Sequence, residues 1–472
     1  MTKLFFLVIF TFLFGYRAMA QKVPKQTPNI VVIIGDDCTH SDLSLYGGTN
    51  VKTPAIDALA VEGLTFNKAY VTMSMCAPSR SELYTGLYPS NSGVCWNHAR
   101  ARQGTQSIVQ HLEKFGYRTG LAGKTHIKPM EDVFPFEMIP GVERNCVKET
   151  ADYDPEGMRE FITRDKKQPF CMVVALTSPH APWTVGDPSH FNPDELVLPP
   201  YMVDTKETRE EYAKYLAEIE VLDEQVGYTI DLLKDEGVYN ETIVIFTSEQ
   251  GSQFPYCKWT NYDNGVHTAF VVRWDGVTEA GTRTDALIQY NDVLPTLLDA
   301  IGGETKDFDG SSFLSVLKGE SNKHRQYAYF MHNNWPEGPS YPIRSVTDGE
   351  FHYIKNLNSE NMYIEKHLMG RPDHTSYWPS WMLNIIENEE NFNIVKGYML
   401  RAEEELYKTT NDKYERHNLA EKDAFLEIKT ELSDELEKWM NEQGDPGADL
   451  DSKKEFEAQR KGNHFVLEKA IR

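Results

Sequence analysis

Short unbroken apolar runs alternate along the chain with stretches in which apolar residues return every three or four positions. The runs Ile30 to Ile34, Cys171 to Leu176, Thr242 to Phe246 and Phe270 to Val272 have the length and continuity of strands buried on both faces, which is the texture of a parallel sheet. Between them, the spacing of Tyr212, Tyr215, Leu216, Ile219, Leu222, Val226 and Leu233 predicts one long amphipathic helix, closed by Gly237. Alternating strand and helix patterns give an α/β fold with helices on both faces of a sheet. Near residue 345 the texture changes. Residues 345–354 read as an antiparallel hairpin, followed by an aromatic-rich loop with Tyr377, Trp378 and Trp381 and a charged helix from about Asp423 to Asn441. The chain thus divides into a large unit, 28–344, and a smaller C-terminal antiparallel-sheet subdomain with a helix, 345–472. Its polar tail, from Gly444, is expected to be mobile.

Residues 1–20 read as a signal peptide, with Lys3 ahead of an apolar segment and Ala18-Met19-Ala20 as the cleavage site. No other run reaches the ~18 apolar residues of a membrane span, so no stable membrane insertion is expected and the expected location is periplasmic or secreted.

Composition narrows the partners. Hydrophobic residues make up 40% of the 472, which excludes global disorder. The formal charge is −23, so nucleic acid is not an expected partner, and an anionic ligand must meet a local basic pocket. Six cysteines exclude a disulfide-dense scaffold.

Polar residues gather where the runs end. Asp36-Asp37 follow the first, Pro179-His180 the run ending at Leu176, and Glu249-Gln250-Gly251 the run ending at Phe246. Gly123-Lys124-Thr125-His126 follow a shorter run, Thr119 to Ala122. Ligands of open α/β sheets bind outside the carboxyl ends of the strands, so four segments bring carboxylates, an amide, a lysine and two histidines to one edge. Asp36, Asp37, Glu249 and the Gln250 carbonyl are hard oxygen donors, suited to Ca²⁺ or Mg²⁺ rather than zinc. Local sequence also allows Asp36-Asp37 simply to cap the next helix. Cys76, with Arg80 one turn on, reads either as a buried thiol in a turn or as a reactive residue at a helix start.

Cys76-Ala77-Pro78-Ser79-Arg80, running on to Leu83-Tyr84-Thr85-Gly86, resembles the signature of the formylglycine-dependent type I sulfatases of the alkaline phosphatase-like superfamily. Gly116, Tyr117, Thr119, Gly123, Lys124 and His126 complete that family's second signature. Asn29 to Asp37, residues 53–60, Ser178-Pro179-His180 and residues 260–265 match further pieces, so the resemblance covers roughly residues 28 to 440. It implies a large mixed, mostly parallel sheet sandwiched by helices, and makes 28–344 a catalytic sulfatase domain. It implies that a separate formylglycine-generating enzyme converts Cys76 to Cα-formylglycine. One hydroxyl of the aldehyde hydrate attacks sulfur to give a covalent sulfo-enzyme, and the other drives elimination of sulfate. It further implies that Asp36, Asp37, Glu249 and Gln250 bind Ca²⁺ (Mg²⁺ as the alternative) together with residue 76. Arg80 and Lys124 stabilise the ionised hydrate, and His126 assists the elimination. His180 is the general acid at the leaving oxygen, and Lys258 holds sulfate.

Three positions depart from the family's pattern. Glu249-Gln250 stand where an Asp followed by Asn or His is usual, each side chain one C–C bond, ~1.5 Å, longer. His267 replaces a frequent Arg, and Tyr84 a frequent aliphatic residue or Phe. The expected substrate is a sulfated polysaccharide or its oligosaccharides. Trp96, Trp183, Trp335, Tyr341, Trp378 and Trp381 are candidates for stacking on sugar rings, and His98, Arg100, Arg102, His267, His332 and Arg344 for selecting acidic groups. An N-sulfoglucosamine-type sulfohydrolase, a phosphoester or phosphonate hydrolase of the same superfamily, and an inactive sulfated-glycan-binding protein remain as alternatives. If Cys76 is converted, five cysteines remain, so at least one stays unpaired within the chain.

Overall fold

A computed structural model describes residues 27–370, 376–386 and 388–465; the expected signal peptide lies outside the described residues. Eight strands form the central sheet: β1 (Asn29–Gly35), β2 (Leu64–Phe66), β3 (Arg118–Gly123), β4 (Glu137–Ile139), β5 (Phe170–Ala175), β6 (Thr242–Ser248), β7 (Phe270–Arg273) and β8 (Thr282–Thr284). Their order is β8-β2-β7-β6-β1-β5-β3-β4. The apolar runs coincide with the middle of this sheet, where β1 lies parallel to both β5 and β6. One expectation is corrected. The run Phe270 to Val272 is not a parallel strand, because β7 runs antiparallel to both β6 and β2. A strand covered on both faces is continuously apolar whichever way it runs, so the pattern carries no direction.

The pleat divides the core in two. Val31, Ile33, Met172, Val174, Val244 and Phe246 face one layer, and Ile30, Val32, Ile34, Cys171, Val173 and Ile245 face the other. The helix Lys206–Asp235 covers the first layer with the expected stripe, from Tyr212 to Leu233, all buried. The helix Cys76–Thr85 packs Ala77, Leu83 and Tyr84 into the second. Two apolar faces each met by helices are what make the sheet a sandwich.

The smaller sheet is antiparallel, with strands β9 (Ala328–His332), β10 (Ile343–Thr347), β11 (Phe351–Asn356) and β12 (Glu404–Lys408) in sequence order. The 345–354 hairpin is its β10–β11 pair. A cut between residues 344 and 345 therefore passes through a strand, and the sheet takes in β9 before it. The helix Leu426–Gln443 covers this sheet, burying Leu432, Leu436 and Trp439. Two further expectations change. Tyr377, Trp378 and Trp381 sit on a helix, Tyr377–Asn384. The tail from Gly444 is structured over its described residues, to 465: the helix Lys453–Arg460 follows Asp451, whose carboxylate accepts hydrogen bonds from the Asn334, Trp335 and Tyr341 backbone N–H groups at 2.7–2.9 Å. Polar composition concealed a segment held by such caps. All six cysteines are free. Among the described residues no helix is long and apolar enough to cross a membrane.

A buried ion pair braces the sheet beneath the polar edge. Asp292, fully buried, receives Arg325 in two hydrogen bonds, Nε to Oδ2 at 2.6 Å and Nη2 to Oδ1 at 2.7 Å, and also accepts from Gln289 N and Ser311 N. Two residues earlier, the Tyr290 hydroxyl donates to the Ser248 carbonyl, the last residue of β6. Burial alone would raise the Asp292 carboxyl; Arg325 and His324 outweigh it and hold it well below the usual carboxylate range. This contribution to stability is therefore present at neutral pH and is lost as pH falls into the acid range. Replacing Arg325 by alanine strips the buried Asp292 carboxylate of two charge-assisted hydrogen bonds, leaving His324 as its ion partner, and is expected to cost about 3–5 kcal/mol, read from the shift of the urea midpoint. A loss below ~1 kcal/mol, the size of an exposed pair, would contradict this.

Candidate active site

The carboxyl ends of β1, β3, β5 and β6 converge on Cys76. Asp36 and Asp37 leave β1 directly, and the Asp36 N–H is anchored on Ser178 O at 3.0 Å. Asp37 adopts φ +56°, a costly left-handed conformation for a residue with a side chain. Lys124 follows Gly123, which has φ +92° and whose added Cβ would lie 2.1 Å from Ala175 O. Only glycine lets β3 turn so close to β5, and this explains that position of the Gly-Lys pair. Glu249 is tied by its N–H to Gly35 O at 2.8 Å. Cys76 opens its helix as the first residue, after an extended Met75. Gly86 closes that helix at φ +69°. Glu82 on the same helix accepts from Thr72 N at 2.8 Å and Thr72 Oγ1 at 2.7 Å, fixing it to the preceding loop; burial pushes its carboxyl up to about 8.

The charges interlock. Lys124 Nζ lies 2.5 Å from Asp36 Oδ2 and 3.4 Å from Cys76 Sγ. Lys258 Nζ lies 2.6 Å from Asp37 Oδ2. Arg80 pairs with Glu249 through Nε and approaches Asp36 at 3.8 Å. Cys76 Sγ stands 3.9 Å from a carboxylate oxygen of each of Asp36 and Asp37. Burial and the Glu249 charge act to raise the Cys76 thiol, but Lys124, Lys258 and His126 outweigh them and hold it well below its ordinary value. The position is built for a negatively charged atom.

The two histidines are tuned in opposite directions. Burial, with the charges of Lys124 and His98, lowers His126 to about 4, so it is neutral at pH 7. Both its ring nitrogens are buried without a hydrogen-bond partner, and its backbone has φ +46°. Burial would also lower His180, but the Asp37 carboxylate, 3.5 Å from Nε2, carries it well above its ordinary value. His180 Nδ1 donates to Ala181 O at 2.5 Å, which fixes the ring with Nε2 turned inward.

The donor set fits a divalent cation. Ligand atoms of Asp36, Asp37 and Cys76 lie within 4.8 Å of one another, with a His180 ring nitrogen in the same space as a proton donor and not a ligand. Gln250 Nε2 is 2.6 Å from Asp37 Oδ1, and Oε1 accepts from Ser79 Oγ at 3.1 Å. A half-turn of this amide exchanges the two atoms, still satisfies the Ser79 hydroxyl, and aims the carbonyl at the carboxylates. Glu249, with its extra methylene, reaches Arg80 and stands 3.9 Å from Lys124, outside the tightest group.

Above the centre opens a cleft of about 490 Å³, whose lining includes Cys76, Lys124, His126, His180 and Lys258. Of the residues expected to select the substrate, His98 lines it, its ring 4.8 Å from that of His126. The others do not. Trp183 is core, stacked on Phe254 and donating to Pro179 O. His267 bonds Asp263 and stacks on His40. His332 is fully buried beside Asn334, and Arg344 is consumed by a buried pair with Asp445. Arg100 faces Glu131, and Arg102 donates to the Ser90 and Phe465 carbonyls. Trp96, Tyr341 and Trp381 are core, and Trp378 packs with Trp381. Residue type alone does not separate a packing aromatic from a binding one. Sequence reasoning missed Trp259, Lys128, Arg144, Cys146, Glu337 and His367, all of which line the cleft. The only local signal was Trp259, directly after Lys258.

The sulfatase family profile matches residues 28–303, and the profile described as N-sulphoglucosamine sulphohydrolase, C-terminal, matches residues 252–373. An ulvan-active sulfatase of Formosa agariphila is 33% identical over 89% of this chain and 81% of its own length. The human N-sulphoglucosamine sulphohydrolase is 27% identical over 89% of this chain and 91% of its own. Among solved structures, a protein in complex with its substrate D-glucosamine-2-N,6-O-disulfate superposes with a TM-score of 0.70 at 20% identity, covering 91% of this chain and all of that one. A phosphonate monoester hydrolase of Agrobacterium radiobacter shares the fold, with a TM-score of 0.68 at 18% identity over 88% of this chain and 96% of the other. With a profile spanning more than half its length and a relative sharing a third of its residues, this chain belongs to the sulfatase family and is a sulfatase.

Proposed function

We propose that the enzyme removes O-sulfate groups from a sulfated polysaccharide or its oligosaccharides, in the periplasm or outside the cell, with Cys76 matured to formylglycine by a separate enzyme. The observation that carries this reading is the setting of residue 76. It is buried at the base of a cleft, between two carboxylates and two lysines, beside a neutral histidine and a protonated one.

Matured residue 76 would supply a hydroxyl nucleophile, and a Ca²⁺ or Mg²⁺ held by Asp36, Asp37, Glu249 and Gln250 together with residue 76 would supply Lewis-acid charge there. The chain's own side chains do the rest. Lys124, Lys258 and Arg80, all buried at the base of the cleft, place positive charge where the sulfate oxygens gather negative charge. His180, held protonated by Asp37, gives its Nε2 proton to the leaving sugar oxygen. His126, neutral and unpartnered, is placed to take the proton whose loss releases sulfate. The buried Arg80–Glu249 pair fixes the guanidinium in one orientation.

The carbohydrate class is supported by three relatives of Formosa agariphila, each an ulvan-active sulfatase. It is also supported by the exposed Lys128 and Arg144 at the cleft, which suit a substrate with more than one anionic group. Replacing both by alanine is expected to lower kcat/KM on a sulfated oligosaccharide about 5–10-fold, and the deficit should shrink as salt rises. An equal loss on a neutral aryl sulfate would contradict that role. A second reading, release of N-sulfate, is favoured by the match over 252–373. Ion chromatography of sulfate released from defined O- and N-sulfated sugars decides between them: O-sulfate release is expected, and release from N-sulfated sugars alone would replace the proposal.

A further inference from the structure

The cleft holds one carboxylate that the chemistry above does not use. Glu337 follows β9, and His367 comes from the turn Lys366–Met369, so both belong to chain distant from the reaction centre. His367 Nε2 lies 2.6 Å from Glu337 Oε2, and Lys366 Nζ lies 2.9 Å from the same oxygen. Both contacts fall on Oε2, and Glu337 itself lines the cleft. The backbone is tied in the same place: Lys366 N–H donates to Glu337 O at 2.7 Å, and Glu337 N–H to Asn334 O at 2.8 Å. The buried Glu365 caps this turn through Leu368 N at 2.8 Å. Burial would raise the Glu337 carboxyl, but His367 and Lys366 outweigh it and hold it at about 2, so it is ionised throughout the neutral range.

This carboxylate is connected to the sulfate end. The His367 ring stacks on Trp259, with centroids 5.2 Å apart and planes at 12°. On the same indole, Lys258 Nζ lies 4.8 Å from the ring centroid, and its other partner is Asp37. A row therefore runs from the reaction centre through Lys258, Trp259 and His367 to Glu337. An ionised carboxylate accepts hydrogen bonds from hydroxyl or ammonium groups and repels a second sulfate or carboxylate. A sugar offers such donors beside its sulfated carbon, and an aryl sulfate offers none.

Resting on the carbohydrate reading above, we infer that Glu337, positioned by His367, is the specificity residue that reads the donor group next to the sulfate ester. The preferred substrate is then a sugar whose neighbouring hydroxyl or amine is unsubstituted, and sulfation of that neighbour is rejected.

The test uses the mature enzyme and its Glu337→Gln and Glu337→Ala variants. The probes are 4-nitrophenyl sulfate and sulfated monosaccharides with and without a second sulfate on the adjacent position. Loss of a hydrogen bond to a charged group is expected to lower the ratio of kcat/KM on the monosulfated sugar to that on the aryl sulfate about 30-fold in Glu337→Ala. Wild type should prefer the monosulfated over the vicinally disulfated sugar at least about 10-fold, and Glu337→Gln should narrow that preference because it removes the repulsion but keeps the shape. His367→Gln should move the same ratio in the same direction, which a role confined to stability would not do. Ratios within about threefold of wild type in every variant, or no wild-type preference for the monosulfated sugar, would overturn the inference while leaving the sulfatase reading intact. A wild-type enzyme that released sulfate from no sugar would take both down. The wild-type comparison decides the matter even if a variant fails to fold.

Discussion

Cys76→Ala is expected to abolish sulfate release while leaving the protein folded. The thiol is 1% exposed, and its neighbours are polar atoms: Lys124 Nζ at 3.4 Å, Gln250 Nε2 at 3.5 Å and two carboxylate oxygens at 3.9 Å. Alanine keeps the helix start, where its propensity is high, and removes one sulfur from a cage held by Lys124–Asp36 and Lys258–Asp37 in any case. Turnover, however, loses its nucleophile. Removal of a nucleophile that acts as part of a unit costs about four orders of magnitude or more in kcat. Sulfate release should drop to background on every substrate, sugar or aryl, with the thermal midpoint within a few degrees of wild type. Activity surviving on either substrate class at more than about one part in a thousand would remove residue 76 from the mechanism.

His180→Ala is expected to divide the substrates. A sugar alkoxide leaves poorly without a proton, whereas an aryl oxide does not need one. Loss of the general acid should therefore cost about 10²–10⁴-fold on a sugar sulfate and much less on 4-nitrophenyl sulfate. The pH dependence follows from the direction of the shift. Asp37 lifts His180 well above its ordinary value, so the acid form persists at neutral pH and is lost as pH rises through the raised pKa. Wild-type turnover of sugar sulfates should then fall on the alkaline side, and His180→Ala should lack that limb. Equal losses on both substrate classes would make His180 a sulfate-binding or positioning residue instead.

The reaction centre was legible in the sequence because the fold places it by a rule. Strands buried on both faces are continuous apolar runs, and whatever polar residues follow them meet at one edge of the sheet. Asp36, Asp37, Lys124, His180 and Glu249 were found this way, and they do converge. The direction of β7 was not legible, since burial on both faces leaves no directional mark. Trp183, His267 and Arg344 have the chemistry of sugar-binding residues, yet each packs on or pairs with a residue far away in the chain, Phe254, His40 and Asp445, and His332 is buried beside Asn334. Glu337 and His367 were invisible for the converse reason. Neither lies in a periodic or motif-like stretch, and only folding of the smaller sheet against the larger unit carries them to the cleft. Gln250 shows a finer limit: the residue type identifies an oxygen donor, but which amide atom faces Asp37 depends on what occupies the space between them.

The central claim is that residue 76 is the reacting group and is no longer a cysteine when it reacts. Peptide mass spectrometry of the segment containing residue 76, taken from enzyme that releases sulfate, tests this most directly. The account predicts an aldehyde or its hydrate at position 76, in a fraction that rises in proportion to the specific activity of the preparation. Fully active enzyme carrying only a thiol at that position would contradict it.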